Sequence, residues 1–299
     1  MDVLSDVIAA MRTGRPTSSR LRVNSPWCCR FDRYDGAGFH VLLRGTGWLI
    51  QEHGAPTRLA TGDVVLVPHG SAHVLSDSPH AEGAVPFDAV AADPDGRTEF
   101  LCGKYRLDHT RTHPVLAELP EVVHLPAQLG RHPELRTAID LLAAEVTGER
   151  PGRDAVISGL LDLLLTYLVR AWLDENARTG WPRALRDREI AAALAALHAD
   201  PAAPWRTADL AAHVGLSRAT LARRFTALIG QPPMTYLTWW RMTTAAHLLH
   251  TTDQPLSAIA RQVGYGSPFA FSHTFKRHYG HTPGRYRSAQ PCARSAKRE

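Results

Sequence analysis

The C-terminal third of the sequence contains two copies of one helical pattern, and this repeat constrains the fold more than any other feature. The segment LAAHVGLSRATLARRF (210–225) aligns with IARQVGYGSPFAFSHTF (259–275) when Gly266 is treated as an insertion. One copy would be weak evidence, because Gly and Ser produce turns easily. Two copies in tandem indicate a duplicated structural unit.

Each copy has the parts of a helix-turn-helix. Gly215 and Gly264 stand where a first helix must turn sharply, and Gly adopts the left-handed conformation that such a turn needs. Ser217 and Ser267 then follow at the position of a helix N-cap, where a hydroxyl can accept a backbone N–H. Pro268 comes just inside the second cap, where a missing N–H costs nothing. The pattern therefore predicts two helix-turn-helix units.

The second helix of each unit has an apolar face and a polar face. Leu221 and Phe225 in the first copy, and Phe271 and Phe275 in the second, are the predicted core positions. The polar faces carry side chains suited to phosphates and to the major groove of DNA. These candidate DNA-binding residues are Ser217, Arg218, Thr220, Arg223 and Arg224, followed by Ser267, Ser272, His273, Lys276 and Arg277.

Charge favours the same partner. Residues 183–299 carry 16 Lys and Arg against 6 Asp and Glu, a net charge of +10. The other 182 residues carry 18 against 23, a net charge of −5, which recovers the total of +5. A basic C-terminal part joined to a mildly acidic N-terminal part indicates that only one half meets a polyanion. The alternatives are a solvated basic face or an adaptor that uses these helices for protein contacts, and the local charge disfavours the adaptor.

The last hundred or so residues resemble the DNA-binding domain of AraC-type transcription regulators. GYGSPFAFSHTFKRHYGHTPGRYR (264–287) follows that family's pattern of Gly-Tyr, Ser, Phe, Phe-Lys, Gly, Thr-Pro and Tyr-Arg. The resemblance implies double-stranded DNA as the partner, with base contacts from early positions of each second helix. These positions are Arg218, Ala219, Thr220, Ala222 and Arg223, and then Pro268, Phe269, Ala270, Ser272 and His273.

The second set departs from common family members, which often carry Gln or Arg there. Pro268, Phe269 and Ala270 cannot donate to base edges, although apolar groups can contact thymine methyls. We therefore expect Arg218 and Arg223 to read most of the sequence, with Lys276 and Arg277 mainly contacting phosphates. The long helix predicted between the copies could hold the two reading helices about one DNA turn (~34 Å) apart.

The N-terminal part has a different texture. From about residue 20 to 125, short apolar runs alternate with Gly, Pro and Asp, which favours a β-sandwich or small barrel. GDVVLVPHGSAHVL (62–75) resembles the turn and strand of a cupin barrel, the sensor domain of many AraC-type regulators. LCGKYRLDHTRTHPVLAELPEVVHLP (101–126) resembles a cupin subgroup that includes regulators of the reactive-chlorine response. The predicted fold class is α+β multidomain: a cupin-like β-barrel, a helical linker, and an all-α domain with two helix-turn-helix units.

Three histidines are the candidates for an effector pocket: His40, His73 and His69. In catalytic cupins two or three His and a carboxylate converge on a metal. His40 and His73 could hold a divalent metal, but the enzyme motif's His-x-His pair is missing, since His69 and His73 are four residues apart. Polar pocket lining and surface histidines are the open alternatives. No catalytic residues are assembled by spacing, so a regulator is the main hypothesis and a metal-dependent cupin enzyme with a nucleic-acid module is the alternative.

Cysteines offer a second sensing hypothesis. Cys28 and Cys29 lie between Trp27 and Arg30, and a neighbouring cation can lower a thiol pKa and promote oxidation. Cys102 falls where the similar subgroup has Cys-Gly. Adjacent residues point to opposite faces of a strand, so at most one of Cys28 and Cys29 can easily meet Cys102. The plain alternative is that Cys28 and Cys102 are small buried apolar residues.

The middle of the chain is helical and apolar, and we expect residues 135–173 to relay a signal or to form a homodimer. The predicted domains are 1–127 (sensor), 128–182 (linker and dimerisation), 183–290 (DNA binding) and 291–299 (basic tail). No signal peptide and no continuous apolar run of membrane length is present, which predicts a cytoplasmic protein with no membrane partner. RNA polymerase is a further expected partner, and the effector could be a small molecule or an oxidant.

Overall fold

The structure is a computed structural model, and it describes residues 2–11, 16–106, 113–128 and 130–289. The predicted basic tail at 291–299 lies outside these residues. The chain divides into two compact units: one comprises Arg12–His109 and Leu116–Glu175, and the other comprises Met1–Met11, Thr110–Val115 and Asn176–Glu299. We call them the barrel unit and the helical unit.

The barrel unit contains two five-stranded sheets, as expected for a cupin-like domain. One has the order β1-β9-β3-β6-β10 and the other the order β5-β4-β7-β2-β8. The strands are β1 (Thr17–Val23), β2 (Cys28–Phe31), β3 (Ala37–Arg44), β4 (Thr46–Gln51), β5 (Thr57–Ala60), β6 (Val64–Val67), β7 (His73–Ser76), β8 (Val85–Pro86), β9 (Thr98–Tyr105) and β10 (Val123–Leu125). A 3₁₀ turn at Phe87–Ala89 follows β8.

Strand pairing brings distant residues together. In the first sheet β3 pairs antiparallel with both β6 and β9, which sets His40 opposite Cys102 on one side and Val65 on the other. In the second sheet β7 pairs with β2, which sets His73 opposite Phe31. Trp27, Leu49, Leu75 and Phe100 belong to the apolar core of the barrel unit. The two sheets thus bring the polar residues of β3, β7 and β9 to one place.

Gly103 is required by packing next to this place. A Cβ at Gly103 would lie 1.9 Å from a ring carbon of Phe39, whose side chain is fully buried. Glycine is therefore required after Cys102, because only a residue without a side chain lets β9 pass the Phe39 ring.

The barrel unit also contains the helices α2 (Pro114–Ala117, in part), α3 (Pro133–Thr147) and α4 (Arg153–Glu175). The Tyr105 hydroxyl donates to the Leu161 carbonyl at 2.7 Å, joining β9 to α4. Among the described residues, α4 is the one helix long and apolar enough to cross a membrane by length and composition, although its charged residues interrupt the apolar run. Core helices have the same property, and Leu161, Leu164, Leu165 and Leu168 are buried.

The helical unit consists of α1 (Val3–Met11), α5 (Gly180–Arg186), α6 (Arg188–Ala199), α7 (Thr207–His213), α8 (Arg218–Ile229), α9 (Pro233–Thr251), α10 (Leu256–Gln262), α11 (Pro268–Tyr279) and α12 (Pro283–Ala289). The pairs α7–α8 and α10–α11 are the two predicted helix-turn-helix units, joined by α9. The fold-class prediction is confirmed.

The local chemistry of both units matches the repeat. Gly215 and Gly264 adopt φ of 71° and 80°, in the left-handed region. The Ser217 hydroxyl accepts the N–H of Thr220, and the Ser267 hydroxyl accepts that of Ala270. The two turns differ in how closely neighbouring atoms pack against the glycine. A Cβ at Gly264 would lie 2.8 Å from the Ala202 carbonyl oxygen, whereas one at Gly215 would meet nothing within 4 Å. The second turn is thus packed and the first is open.

The two units group the chain differently from the predicted boundaries. Helices α3 and α4, predicted as a separate linker at 128–182, fall within the barrel unit. Helix α1, predicted as part of the sensor domain, falls within the helical unit, where it packs against α6 and α9. The pattern of residue types along the sequence could not show this grouping, because it depends on contacts between segments far apart in the chain.

Candidate nucleic-acid interface and sensor cavity

Helix α8 presents the first candidate interface. Arg218 and Arg223 are exposed, while Thr220 is half-buried. Leu221 and Phe225, on the opposite face, are fully buried, as predicted for the core. The Ser217 hydroxyl also donates to the Thr220 hydroxyl at 2.8 Å, so the cap fixes the first turn of the helix. Arg218 and Arg223 therefore lie on the exposed side of α8.

Arg224 does not belong with them, and its prediction as a DNA-facing residue needs correction. Its guanidinium donates to both carboxylate oxygens of Asp187, at 2.8 and 2.7 Å, and to Glu189 at 3.1 Å. Burial alone would raise the pKa of Asp187, but the hydrogen bonds and charge of Arg224 outweigh it and lower that pKa. Arg224 therefore fastens α8 to the start of α6. Local sequence patterns do not indicate this role, because the partners lie 35 and 37 residues away.

Helix α11 presents the second candidate interface. Phe271 and Phe275 are fully buried against α9 and α10, so their predicted core role is confirmed. Ser267, His273, Lys276 and Arg277 are exposed, and Ser272 is half-buried. Helix α11 carries no acidic residue, which suits a surface that approaches phosphates.

The helical unit also contains a buried polar chain that the sequence did not reveal. The Tyr236 hydroxyl lies 2.6 Å from His198 Nε2 and 2.9 Å from His113 Nε2. His198 Nδ1 lies 3.2 Å from the Asp6 carboxylate. Burial lowers the pKa of both histidines, and for His198 the hydrogen bond with Asp6 offsets part of the effect. These hydrogen-bonded side chains link α1 and the segment at His113 to α6 and α9.

The barrel unit contains a cavity of about 500 Å³, a volume typical of small-molecule sites. Its walls combine aromatic, hydroxyl and charged side chains. The residues lining it include Thr17, Ser18, Ser19, Arg30, Phe31, Asp32, Arg33, Tyr34, His40, His73, Phe87, Asp88, Cys102 and Lys104.

Three of the predicted sensor residues meet inside this cavity. His40 Nε2 lies 2.8 Å from His73 Nε2, and His40 Nδ1 lies 3.1 Å from Cys102 Sγ. All three side chains are buried. The Phe31 ring stacks on His73 with centroids 4.8 Å apart and covers the pair. The structure thus joins His40, His73 and Cys102 into one hydrogen-bonded group.

The proton positions in this group follow from its partners. His73 Nδ1 lies 2.8 Å from the Ser71 carbonyl, which can only accept, so Nδ1 carries the proton and Nε2 of neutral His73 is an acceptor. His40 Nε2 must then donate to it, which leaves His40 Nδ1 to accept from the Cys102 thiol. Every polar atom of the two rings is used, and the thiol is in its protonated form.

Burial stabilises these neutral forms. It lowers the pKa of His40 well below its ordinary value, with His73 as a second cause, and it lowers the pKa of His73 despite the opposing bond to Ser71. Burial, and then the neighbouring Cys29, raise the pKa of Cys102. A buried protonated thiol is a weaker nucleophile than a thiolate, so Cys102 is not activated in this state.

The remaining sensor candidates lie elsewhere. His69 does not line the cavity: its Nε2 lies 2.8 Å from the Leu119 carbonyl, so its assignment to the effector pocket needs correction. Cys29 is part of the apolar core, and burial, followed by Cys28, raises its pKa to about 12. Cys28 is half-buried beside the His80 carbonyl. All three described cysteines of the barrel are free thiols.

A divalent metal needs donor atoms farther apart than this site provides. Two nitrogens bound to one tetrahedral Zn²⁺ at ~2.0–2.1 Å stand ~3.3 Å apart, which is wider than the hydrogen-bonded His40–His73 distance. Within the described residues, no group of three or more His, Cys, Asp or Glu side chains is placed to hold a metal ion. His40 and His73 therefore do not fit a metal site as they stand.

The two units together define a class of protein: a regulator with a cupin domain and a helix-turn-helix domain. Residues 2–174 match the family model described as Cupin, and residues 210–289 match the one described as Helix-turn-helix domain. The chain belongs to the AraC-like transcription regulators, and it is a DNA-binding protein of that family.

Relatives of the whole chain carry the same description. A putative AraC-like transcription regulator of Streptomyces lividans is 35% identical over 96% of this chain and 98% of its own. The RCS-specific HTH-type transcriptional activator RclR of Escherichia coli is 32% identical over 83% of each chain. Among solved structures, the DNA-binding domain of AdpA in complex with a target DNA is 32% identical, covers 37% of this chain and 98% of that one, and has a TM-score of 0.34.

Proposed function

We propose that this regulator senses its signal in the barrel cavity and that the Cys102–His40 pair is the responding element. The observation that carries the proposal is the 3.1 Å contact between Cys102 Sγ and His40 Nδ1 at the wall of the cavity. The hydrogen bonds of this group continue through His73 to the backbone of Ser71. Any change at the thiol therefore alters the whole chain of donors and acceptors.

Two signals fit this site. A small molecule fits the cavity volume, since Phe31 and Phe87 supply apolar walls and His40 and His73 supply polar contacts. An oxidant fits the thiol, and the relationship to RclR, named as RCS-specific, favours it. The raised pKa of Cys102 slows oxidation, so the small molecule is the first candidate and the oxidant the second.

We further propose that the protein acts as a homodimer in the cytoplasm, contacts RNA polymerase, and is not an enzyme. Leu141 of α3 and Val156 and Leu163 of α4 are exposed large apolar residues, which supports a partner surface on these helices. The competing proposal is a metal-dependent enzyme, and it requires His40 and His73 to separate from their hydrogen-bonded distance of 2.8 Å. Metal analysis of the purified protein distinguishes the two.

Treatment with hypochlorite tests the proposed sensing element. Hypochlorite transfers its oxygen to the thiol sulfur and releases chloride, giving a sulfenic acid that no longer donates to His40 in the same way. If an oxidant is the signal, the dissociation constant for a preferred duplex, measured by fluorescence polarisation, changes at least ~3-fold, on the order of 0.7 kcal/mol.

Two cysteine variants complete this experiment. Cys28→Ser is the matched control, because Cys28 lies outside the cavity, and it should respond like the wild type. Cys102→Ser should not respond. A response that survives in Cys102→Ser rejects Cys102 as the sensing residue, and a wild type that does not respond rejects the oxidant and leaves the small molecule.

A further inference from the structure

The first turn of α11 carries an exposed aromatic side chain that no core explains. Phe269 is 83% exposed, more than any other large apolar residue among those described; the next is Leu141 at 53%. Exposing a phenyl ring costs free energy, on the order of 1.5–3 kcal/mol relative to burying it. The ring therefore presents an apolar contact surface at the start of α11.

The helix geometry shows which way Phe269 faces. Phe271 and Phe275 are fully buried, and Phe269 precedes Phe271 by two residues, or about 200° around the helix. Phe269 and His273 are four residues apart and Lys276 follows three later, so these three share one exposed stripe. The ring thus begins the stripe that ends in basic residues.

The surroundings match DNA rather than an apolar protein surface. The stripe contains no acidic residue, and Lys276 and Arg277 extend it with positive charge. In helix-turn-helix proteins the N-terminal residues of the second helix contact base edges. A side chain without polar atoms finds one apolar partner on those edges in the major groove, the 5-methyl group of thymine.

We propose that Phe269 reads a thymine through its 5-methyl group, and that this apolar contact is a sequence-determining contact of the second helix-turn-helix. The two halves then read by different chemistry. The first half has Arg218 and Ala219 at the positions of Pro268 and Phe269, so it reads through hydrogen bonds from arginine. The second half selects a methyl group. The proposal rests on the DNA-binding function of the family.

Duplexes that lack single methyl groups test this contact. Each thymine of the half-site bound by α11 is replaced in turn by deoxyuridine, which differs only by the methyl group. We expect one such replacement to weaken wild-type binding about 3- to 5-fold, the loss expected for one buried methyl group. Phe269→Ala should bind the thymine and uracil duplexes equally. When the same base is replaced by cytosine or by 5-methylcytosine, the wild type should bind the 5-methylcytosine duplex more tightly.

The controls separate this contact from the general DNA-binding function. Arg223→Ala, on the other reading helix, should keep the thymine preference while losing affinity. Phe269 is exposed, so Phe269→Ala should unfold at the wild-type temperature. A wild type indifferent to every uracil replacement overturns the proposal, as does a Phe269→Ala variant that still prefers thymine. Unchanged DNA binding with lost transcription in vitro would instead assign Phe269 to a protein partner and also overturn it.

Discussion

Arg223→Ala is expected to weaken binding to the preferred duplex by about 1–3 kcal/mol, roughly 5- to 150-fold, while leaving the fold intact. Arg223 is exposed on α8, opposite the buried Leu221 and Phe225. A bidentate contact from its guanidinium to guanine would be lost, so preference should relax at one base pair. Competition binding against duplexes varied at each position measures both effects.

The neighbouring Arg224→Ala is the matched control, because it removes the same charge from the next residue. Arg224 binds Asp187 and Glu189, so its loss should lower the free energy of unfolding by about 1 kcal/mol or less, without changing the preferred sequence. Lys276→Ala should weaken binding to all sequences alike and reduce the salt dependence. Equal, sequence-independent losses of affinity from Arg223→Ala and Lys276→Ala would contradict the proposed division between base-specific contacts and phosphate contacts.

Acidification below pH 6.5 is expected to destabilise the protein strongly. Burial lowers the pKa of His40 in the barrel unit and of His113 in the helical unit well below the ordinary value of 6.5. The unfolded chain therefore binds more protons than the folded chain as the pH falls through 6.5, and the stability present above that pH is lost. Each of these two histidines should remove about 1.4 kcal/mol per pH unit, until its folded pKa is reached.

Urea unfolding at pH 7.5, 6.5 and 5.5 measures this dependence. His113→Gln should lower the free energy of unfolding at neutral pH, because the contact with Tyr236 changes. It should also make the free energy of unfolding of the helical unit depend less steeply on pH below 6.5. His281→Gln, at an exposed position, is the matched control for the substitution itself. Stability that is constant or higher at pH 5.5 would be incompatible with buried neutral histidines.

Structural features that depend only on neighbouring residues could be predicted from the sequence. The turns at Gly215 and Gly264 and the caps at Ser217 and Ser267 follow from local chemistry, and the structure shows them as expected. The helical repeat likewise placed Phe271 and Phe275 in the core. Such features need only a few adjacent residues to define them.

Features that depend on distant residues could not be predicted in the same way. His40, His73 and Cys102 were candidates from the sequence, but their contacts arise from strand pairing across 33 and 62 residues. Residue type alone suggests a DNA contact for Arg224 and a pocket position for His69, but their partners at Asp187 and Leu119 give them other roles. Side-chain chemistry suggests what a residue could do, and tertiary contacts decide which of these roles it takes.

We expect one chain to read an asymmetric site with two helices of different chemistry. Selection of preferred duplexes from random DNA at low salt, using the full-length protein, tests this expectation. We expect an enriched site with two dissimilar elements about one DNA turn (~10 bp) apart, one guanine-containing and one thymine-containing. Arg223→Ala should blur only the first element and Phe269→Ala only the second. Selection that enriches no sequence, or a single element sensitive to both variants, would contradict the claim.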